Sequence, residues 1–383
     1  MKRLVQAKLF FALLIMLSLT GCGNTEQKQV KKAVVSEFDR LKELNSKTVQ
    51  SYLASESLFP DASTSQAPSA VIEEVASLFF KNFDYKILKI HAAETTASCR
   101  LQITTLDAHA LAKDYQREYL TQVIMAAANG QAYTDVSLEQ HYLLMKNLME
   151  KNAYQTISNS CNINLVKDGR RWKIQRDTDL NNQLVGGFIT SAANPYLLTP
   201  ADTVDVYFNA LKNMDASQLS VYLGLNALFS GSDENSQALA NALLQQVHAC
   251  FSHRVVSSQD NGANARVDTE ITSFSYDAIV SAYNKKLDEY LSTTDALIDG
   301  PAGRLTKSNE FLLSCISAND ATQVQTIALT LINDGVSWKL QSSSQIGTAL
   351  FGEFNADTAA SSLSSAERES SGRSNVSAEQ PNE

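Results

Sequence analysis

Residues 162–175 read NINLVKDGRRWKIQ, and residues 328–341 read ALTLINDGVSWKLQ. In each stretch an apolar segment leads into an Asp-Gly pair, and a Trp-Lys pair follows. An Asp-Gly pair between two β-patterned segments predicts a hairpin, because both residues tolerate the left-handed backbone of a tight turn. The chain therefore contains the same predicted hairpin twice, and its two tryptophans occupy equivalent places in the two copies.

The repeat extends from these hairpins back over most of the chain. Between residues 34–59 and 204–229, eight positions are identical at a constant offset of 170, where about two identities are expected by chance. The identical residues of the first copy are Val34, Phe38, Leu41, Lys42, Tyr52, Leu53, Leu58 and Phe59. The offset falls to 166 at the hairpins, as small loop insertions and deletions produce. We predict two homologous domains, residues 28–192 and 199–354, joined by a linker over residues 193–198.

Each copy shows the same series of local patterns. Apolar residues spaced by four, three and three, beginning at Val34 and Val204, predict an opening amphipathic helix, which a second helix follows. The period then changes to two, which predicts two strands, a helical insertion and the closing hairpin. Helices that precede an antiparallel sheet are typical of the α+β class. We therefore predict that helices pack on a twisted antiparallel sheet of about four strands in each domain.

The opening helix with Phe38 and Leu41, the Tyr52-Leu53 pair and the closing hairpin with Trp172 resemble the nuclear transport factor 2-like, cystatin-like cone fold. The resemblance is to uncharacterised domains that occur singly or in tandem in lipoproteins of Gram-positive bacteria. It implies a concave cavity between the helices and the sheet. It implies no single activity, because this fold carries enzymes, carriers and adaptors alike.

The N-terminus has the features of a lipoprotein export signal. Three basic residues precede an apolar segment of eleven residues, Leu9–Leu19, and a helix that spans a bilayer needs about 20. The following Leu-Thr-Gly-Cys sequence resembles the bacterial lipobox, which implies that residues 1–21 are removed and that Cys22 is lipidated. We expect residues 22–32 to form a polar tether. We therefore expect the lipid to attach the protein to the cell membrane, with the protein on the extracytoplasmic face.

The C-terminal segment, residues 355–383, has a different composition from the rest of the chain. It is rich in Ser, Ala and Glu and contains no aromatic residue. Such a segment cannot bury enough apolar surface to offset the entropy lost on ordering. We predict that it is disordered.

Four cysteines lie beyond Cys22, two in each copy. An exported chain permits one disulfide in each copy, Cys99 with Cys161 and Cys250 with Cys315. Buried free thiols are the alternative, because unpaired cysteine behaves as a small apolar residue. The sequence leaves both possibilities open.

Charge and motifs exclude several classes of function. The net charge is −9, which opposes binding to nucleic acid, so we expect no nucleic-acid partner. The common nucleotide, zinc, acyl-transfer and calcium motifs are missing from the sequence, so we expect no cofactor and no metal ion. The basic segment Lys167–Lys173 is predicted to be a solvated turn, because the second copy lacks its two arginines.

The weak candidates for catalytic residues are Asp268 and Glu270 on a predicted strand of the second domain. Strand alternation places both side chains on one face, beside Arg266. Antiparallel sheets commonly expose one polar face, so we expect both carboxylates to be solvent-exposed with ordinary pKa values. The first copy has no acidic residue at the matching positions.

These patterns favour a lipid-anchored cell-surface protein that binds a small ligand, an envelope polymer or a protein partner without catalysis. The residues that the two copies share serve folding. Outside the Asp-Gly turn, the two copies share no His, Asp or Glu that could act in catalysis, so we expect no enzyme activity. A hydrolase or isomerase that uses a cavity carboxylate such as Asp268 or Glu270 is the alternative. The solute-binding component of an importer is a weaker one, because such proteins are built from lobes with parallel sheets.

Overall fold

The structure is a computed structural model, and it describes residues 25–53, 58–59, 69–133, 136–225, 233–341, 344–352 and 354. The predicted signal peptide, Cys22 and the predicted disordered tail lie outside the described residues. The lipidation of Cys22, the removal of residues 1–21 and the disorder of residues 355–383 therefore stay predictions.

The described residues form two compact units. Residues up to Glu118 and residues 136–197 belong to the first unit, and the chain from Leu198 belongs to the second. The segment Tyr119–Tyr133 also belongs to the second unit, although it lies within the predicted first domain. Its side chains Leu120, Ile124 and Ala128 are buried in the core of the second unit. Helical spacing identifies such an apolar face, but it does not specify which core the face joins.

Helices precede and interrupt the strands of the first unit in the predicted order. Its elements are α1 (residues 25–42), α2 (Ser46–Leu53), α3 (Ser69–Phe79), β1 (Asp84–Ala92), β2 (Thr96–Leu106), α4 (Ala108–Ala128, which enters the second unit at Tyr119), α5 (Leu138–Lys151), β3 (Thr156–Asp168), β4 (Arg171–Gln175), α6 (Thr178–Leu184) and α7 (Phe188–Ala192).

The second unit repeats this order. Its further elements are α8 (Pro200–Lys212), α9 (Ala216–Leu223), α10 (Glu234–Cys250), β5 (Ser252–Asp260), β6 (Asn264–Phe274), α11 (Tyr276–Leu291), α12 (Thr294–Ile298), α13 (Gly300–Ser317), β7 (Thr322–Asn333), β8 (Trp338–Leu340) and α14 (Ser344–Phe351). Among the helices that the structure describes, none combines the length and the apolar character needed to cross a membrane.

Each unit contains one four-stranded sheet, and the strands follow one another in chain order. All neighbouring strands are antiparallel. The predicted α+β class is confirmed, with helices packed on both sheets. The two predicted hairpins are present as β3–β4 and β7–β8, and their turn glycines, Gly169 and Gly335, have φ angles of 62° and 88°.

The two units share details that composition does not determine. The register of the first strand pair shifts between Ile87 and Lys89 in the first unit and between Val255 and Ser257 in the second, at an offset of 168. A β-bulge is a specific local feature of a strand pair, so its recurrence at equivalent positions indicates structural copies.

A buried hydrogen bond also recurs between the second strand and the first helix after the closing hairpin. Thr105 Oγ1 donates to the carbonyl oxygen of Leu184 at 3.3 Å, and Ser273 Oγ donates to that of Leu350. Both pairs match at the offsets of the sequence repeat. The hydrogen bond joins the sheet of each unit to the helix that follows its last strand.

The opening helix α1 crosses the sheet of the first unit from its last strand to its first. Near its start, Glu26 accepts hydrogen bonds from Lys167 Nζ at 2.7 Å and from Trp172 Nε1 at 3.0 Å. Near its end, Asp39 accepts one from Tyr85 Oη of β1 at 2.7 Å. Between these contacts runs a fully buried apolar stripe of Val30, Val34, Phe38 and Leu41.

The structure corrects the predicted tether over residues 22–32, because residues 25–32 are helical. Val30 is buried and lies four residues before Val34, so the apolar stripe begins one helical turn earlier than predicted. Val30 is the one apolar residue in the otherwise polar segment 25–32, so the composition of the segment predicted a tether and not a helix. The described part of α1 begins at Thr25, three residues after Cys22.

The predicted linker is short and partly buried. Leu197 and Leu198 are buried, whereas Tyr196 is half exposed. The second copy then begins with a capping box, in which Thr199 and Asp202 each accept a hydrogen bond from the backbone N–H of the other. Pro200 occupies the first helical turn, where a backbone N–H has no acceptor within the helix, so its absence in proline costs no hydrogen bond.

We expect truncation of either tryptophan to destabilise the fold, because Trp172 and Trp338 are 7% and 1% exposed. Trp338→Ala should lower the free energy of unfolding by about 3–5 kcal/mol, with a similar loss for Trp172→Ala. Urea unfolding followed by far-ultraviolet circular dichroism measures the change. Trp338→Phe, which keeps most of the buried volume, is the control and should cost less. A loss below about 1 kcal/mol for Trp338→Ala contradicts the prediction.

Candidate functional site

A solvent-exposed groove of about 730 Å³ lies in the first unit between α1 and the β3–β4 hairpin. One acidic side chain, Glu37, lines it together with six cationic ones: Lys32, Arg40, Arg170, Arg171, Lys173 and Arg176. We call it the cationic groove. Its local charge is opposite to the net charge of −9 on the whole chain.

Local structure explains why these side chains meet. In α1 the groove residues recur every three or four positions from Gln29 to Arg40, which places them on one helix face. In β4, strand alternation buries Trp172 and exposes Arg171 and Lys173. Strand β4 is an edge strand of the sheet, so the helix and the hairpin form the two walls of the groove.

Glu37 organises one part of the cationic groove. Its carboxylate accepts hydrogen bonds from Arg176 Nη2 at 3.0 Å and from Tyr52 Oη at 3.2 Å. The guanidinium of Arg176 lies 3.8 Å from the ring centroid of Tyr52, and Arg40 approaches Glu37 at 3.9 Å. Burial raises the pKa of Tyr52, so its phenol remains a hydrogen-bond donor at neutral pH.

Three cations of the groove have no such partner. Within the described residues, no hydrogen bond or ion pair engages the side chain of Lys32, Arg170 or Arg171. Lys173 differs, because its ammonium lies 2.5 Å from the carboxylate of Asp168 and lowers the pKa of that acid. Arginine stays charged at every physiological pH. The groove therefore keeps an uncompensated positive charge that an anion can neutralise.

The second unit keeps the framework but not the charge. Of the six groove cations, Lys173 alone has a basic counterpart in the sequence, Lys339. Arg170 and Arg171 are replaced by Val336 and Ser337. The positive charge of the groove is consequently not a requirement of the fold.

A tyrosine occupies the equivalent region of the second unit. Tyr207, the counterpart of Glu37, interacts with the hydroxyl of Tyr222 and with the backbone of Leu340 on β8. Burial raises the pKa of both tyrosines, so both are neutral at physiological pH. Tyr207 thus connects helix α8 to the edge strand at the position where the first unit has its groove.

The two predicted carboxylates lie on one face of β6, opposite its buried residues. Asp268 accepts hydrogen bonds from Ser257 Oγ at 2.8 Å and from Arg266 Nε at 3.0 Å, and Glu270 accepts one from Arg254 Nη2 at 2.6 Å. Their side chains are 30% and 31% exposed. The hydrogen bond from Ser257, assisted by Arg266, lowers the pKa of Asp268, which corrects the expectation of an ordinary value.

The histidines nearest to these strands have other partners. His248 Nε2 lies 3.1 Å from the carbonyl oxygen of Met214, and His253 Nε2 lies 3.0 Å from Asp205 Oδ1. In the part of the chain that the structure describes, neither histidine forms a hydrogen bond with Asp268. Asp268 is therefore not paired with either of these histidines, and the carboxylate that His253 contacts is that of Asp205.

The four described cysteines are free thiols. Burial raises the pKa of Cys99 and of Cys161 to about 11, so both remain protonated at neutral pH. The structure favours the free-thiol alternative over disulfides. Among the described residues there is also no cluster of three or more His, Cys, Asp or Glu that could hold a metal ion.

The sequence singled out only the hairpin side of the cationic groove and did not predict the groove itself. It identified the hairpin arginines as solvated turn charges and did not select Lys32, Arg40 or Arg176. A usable signal was present, because the second copy lacks all three of these cations. Placing them beside the hairpin required the packing of α1 across the sheet.

No protein-family model, curated protein or solved structure matches this chain.

We expect Glu26→Gln to destabilise the first unit at neutral pH and to flatten its acid dependence. The hydrogen bond from Lys167 lowers the pKa of Glu26, so the carboxylate stabilises the fold above its unfolded pKa of about 4.3. That contribution disappears as the pH falls through the lowered folded pKa. Urea unfolding midpoints at neutral and acidic pH measure the effect.

Glu43→Gln is the matched control, because Glu43 is exposed and takes part in none of the described ion pairs. It should change the unfolding midpoint little at either pH. Equal destabilisation of the two variants at neutral pH contradicts a specific role for Glu26.

Proposed function

We propose that this chain is a lipid-anchored binding protein on the extracytoplasmic face of the cell membrane. The cationic groove of its first unit binds a phosphate-bearing anion and does not convert it chemically. The observation that carries the proposal is the convergence of six cations on one groove, three of them without a partner among the described residues.

The donor set suits phosphate better than an isolated carboxylate. Four of the six cations are arginines, whose planar guanidinium groups donate paired hydrogen bonds to phosphate oxygens. A volume of about 730 Å³ is within the range of small-molecule sites, so several phosphate groups fit at once. Multiple contacts compensate for the weakness of any single exposed ion pair.

The difference between the units supports a selected function for the groove. The second unit folds in the same way without the cations, and Tyr207 connects helix and strand there. Arg170 and Arg171 are exposed and form no ion pair within the described residues, so they add no salt bridge to the fold. Ligand binding is a physical reason to keep them in the first unit.

The chemistry of the groove favours binding over proton transfer. Guanidinium groups stay protonated near neutral pH and cannot act as general bases, and the acid in the groove, Glu37, accepts a hydrogen bond from Arg176. A general base works best with a pKa near 7, whereas Asp268 has a lowered pKa. The antiparallel sheets also differ from the parallel lobes of importer solute-binding proteins.

We expect inorganic tripolyphosphate to bind the cationic groove and the double variant Arg170→Val, Arg171→Ser to weaken this binding more than about tenfold. The substitutions copy Val336 and Ser337 of the second hairpin, so the turn should form normally. Isothermal titration calorimetry measures the affinity. The affinity of the unchanged protein should fall as the salt concentration rises, and that of the double variant should fall less steeply.

The mirror variant Val336→Arg, Ser337→Arg is the matched control. It places two arginines on the second hairpin, where Tyr207 connects helix and strand, and it should create no comparable site. Undiminished binding by the first double variant rejects the groove as the site. A site of equal affinity in the mirror variant shows that any arginine pair suffices.

We expect Cys22→Ala to block signal-peptide processing and to abolish metabolic labelling with a fatty acid, because the lipid is attached through the thiol. Gel mobility and labelling in cells measure both effects. Cys99→Ala is the control, since Cys99 is buried in the first unit and should not affect labelling. Labelling that persists in Cys22→Ala rejects the proposed anchor.

A further inference from the structure

The tip of the β3–β4 hairpin is attached to the start of α1. Glu26, the second described residue of α1, accepts hydrogen bonds from Lys167 Nζ at 2.7 Å and from Trp172 Nε1 at 3.0 Å. Lys167 and Trp172 are directly opposite each other on the two strands, one pair before the turn. The turn with Arg170 therefore lies at the end of α1 that follows Cys22.

The distance from the proposed anchor to this end is short. Cys22 precedes Glu26 by four residues, and an extended residue spans at most about 3.6 Å. The Cα atoms of Cys22 and Glu26 are thus within about 14 Å of each other in any conformation of the residues between them. A lipid on Cys22 holds the hairpin tip close to the bilayer surface.

Six exposed cations lie at this end of the first unit, three on α1 and three on the hairpin. They are Lys28, Lys31 and Lys32 of α1 and Arg170, Arg171 and Lys173 of the hairpin, and we call them the anchor-end cluster. Within the described residues, Lys173 is the one member with an ion-pair partner. Clusters of four to eight Lys and Arg residues on the cytoplasmic side of a transmembrane helix typically bind anionic lipids, and the same attraction acts at any anionic leaflet.

We propose that the anchor-end cluster binds the anionic phospholipid headgroups of the same bilayer that holds the lipid anchor. This inference rests on the proposed function, because the headgroup phosphates are then the anion that the cationic groove receives. The lipid supplies attachment, and the cluster fixes which face of the first unit lies against the membrane.

Charge and position favour headgroups over a distant polymer. The net charge of the chain is −9, so an anionic surface repels most of the protein and attracts this end. The attraction between a cation and the anionic surface decays over a Debye length of about 8 Å at physiological salt. Cations held near the surface therefore contribute most to binding. The anchor also keeps the headgroups at a high effective concentration next to the cluster.

The test uses the whole mature chain from residue 22 with Cys22→Ser, so that no attached lipid contributes. Sucrose-loaded vesicles of equimolar phosphatidylglycerol and phosphatidylcholine should co-sediment the protein, and phosphatidylcholine vesicles should not. High salt should release it. Arg170→Val with Arg171→Ser should weaken the partition coefficient about 30-fold.

A second variant separates the membrane contact from the groove. Lys28 and Lys31 do not line the cationic groove. Lys28→Gln with Lys31→Gln should therefore weaken vesicle binding by a similar factor and leave tripolyphosphate affinity unchanged. Circular dichroism and the unfolding midpoint of each variant establish that it is folded.

Lys86→Gln with Lys89→Gln is the control of equal charge. Both lysines are exposed on β1, the opposite edge strand of the sheet, and the change should leave vesicle binding within about threefold. Equal losses in this control and in the hairpin variant overturn the proposal, because binding then follows net charge alone.

The outcomes distinguish the two levels of the proposal. If the chain binds tripolyphosphate but not the anionic vesicles, the headgroup assignment is rejected and the proposed anion binding stands. The ligand is then a soluble or polymeric phosphate. If it binds neither probe, both proposals are rejected.

Discussion

One amphipathic helix crosses each four-stranded sheet, and the rest of each unit is arranged around that crossing. In the first unit Phe38 of α1 packs on Tyr85 of β1 with ring centroids 5.2 Å apart, and in the second Phe208 of α8 stacks on His253 of β5 at 5.0 Å. The helix buries its apolar stripe on the sheet, which contributes the nonpolar burial that stabilises the fold. Its orientation also determines which polar side chains meet the closing hairpin.

The two copies satisfy this constraint with different chemistry at the same place. The first unit has a charged arrangement around Glu37, in which Arg176 and Tyr52 both donate to the carboxylate. The second has Tyr207, which interacts with the hydroxyl of Tyr222. A neutral tyrosine pair needs no counter-ion, whereas the charged arrangement leaves neighbouring cations available to a ligand. One unit thus carries the charge, and the other has the same sheet order without it, so the sheet does not need the charge.

The proposed role follows from where that charge lies along α1. The contacts of Glu26 bring the hairpin to the N-terminal end of the helix, and the chain enters the helix from the proposed lipid anchor. In the proposed arrangement, the surface potential of the membrane acts on a basic cluster at that position more strongly than on one farther from the anchor, because the potential decays with distance. Attachment and electrostatic orientation then act on the same end of the first unit.

The sequence by itself determined the repeat, the α+β class and the two hairpins, because these depend on local periodicity and on the Asp-Gly turn. It also determined that the arginine pair of the hairpin, Arg170 and Arg171, is present in one copy alone. The tertiary structure decided what that charge faces. Lys32 and Arg170 are far apart in the chain, and the crossing of α1 makes them walls of one groove. The tertiary structure likewise decided that Tyr119–Tyr133 joins the second unit. Helical periodicity specifies that a face is apolar, but only the completed packing specifies which surface covers it.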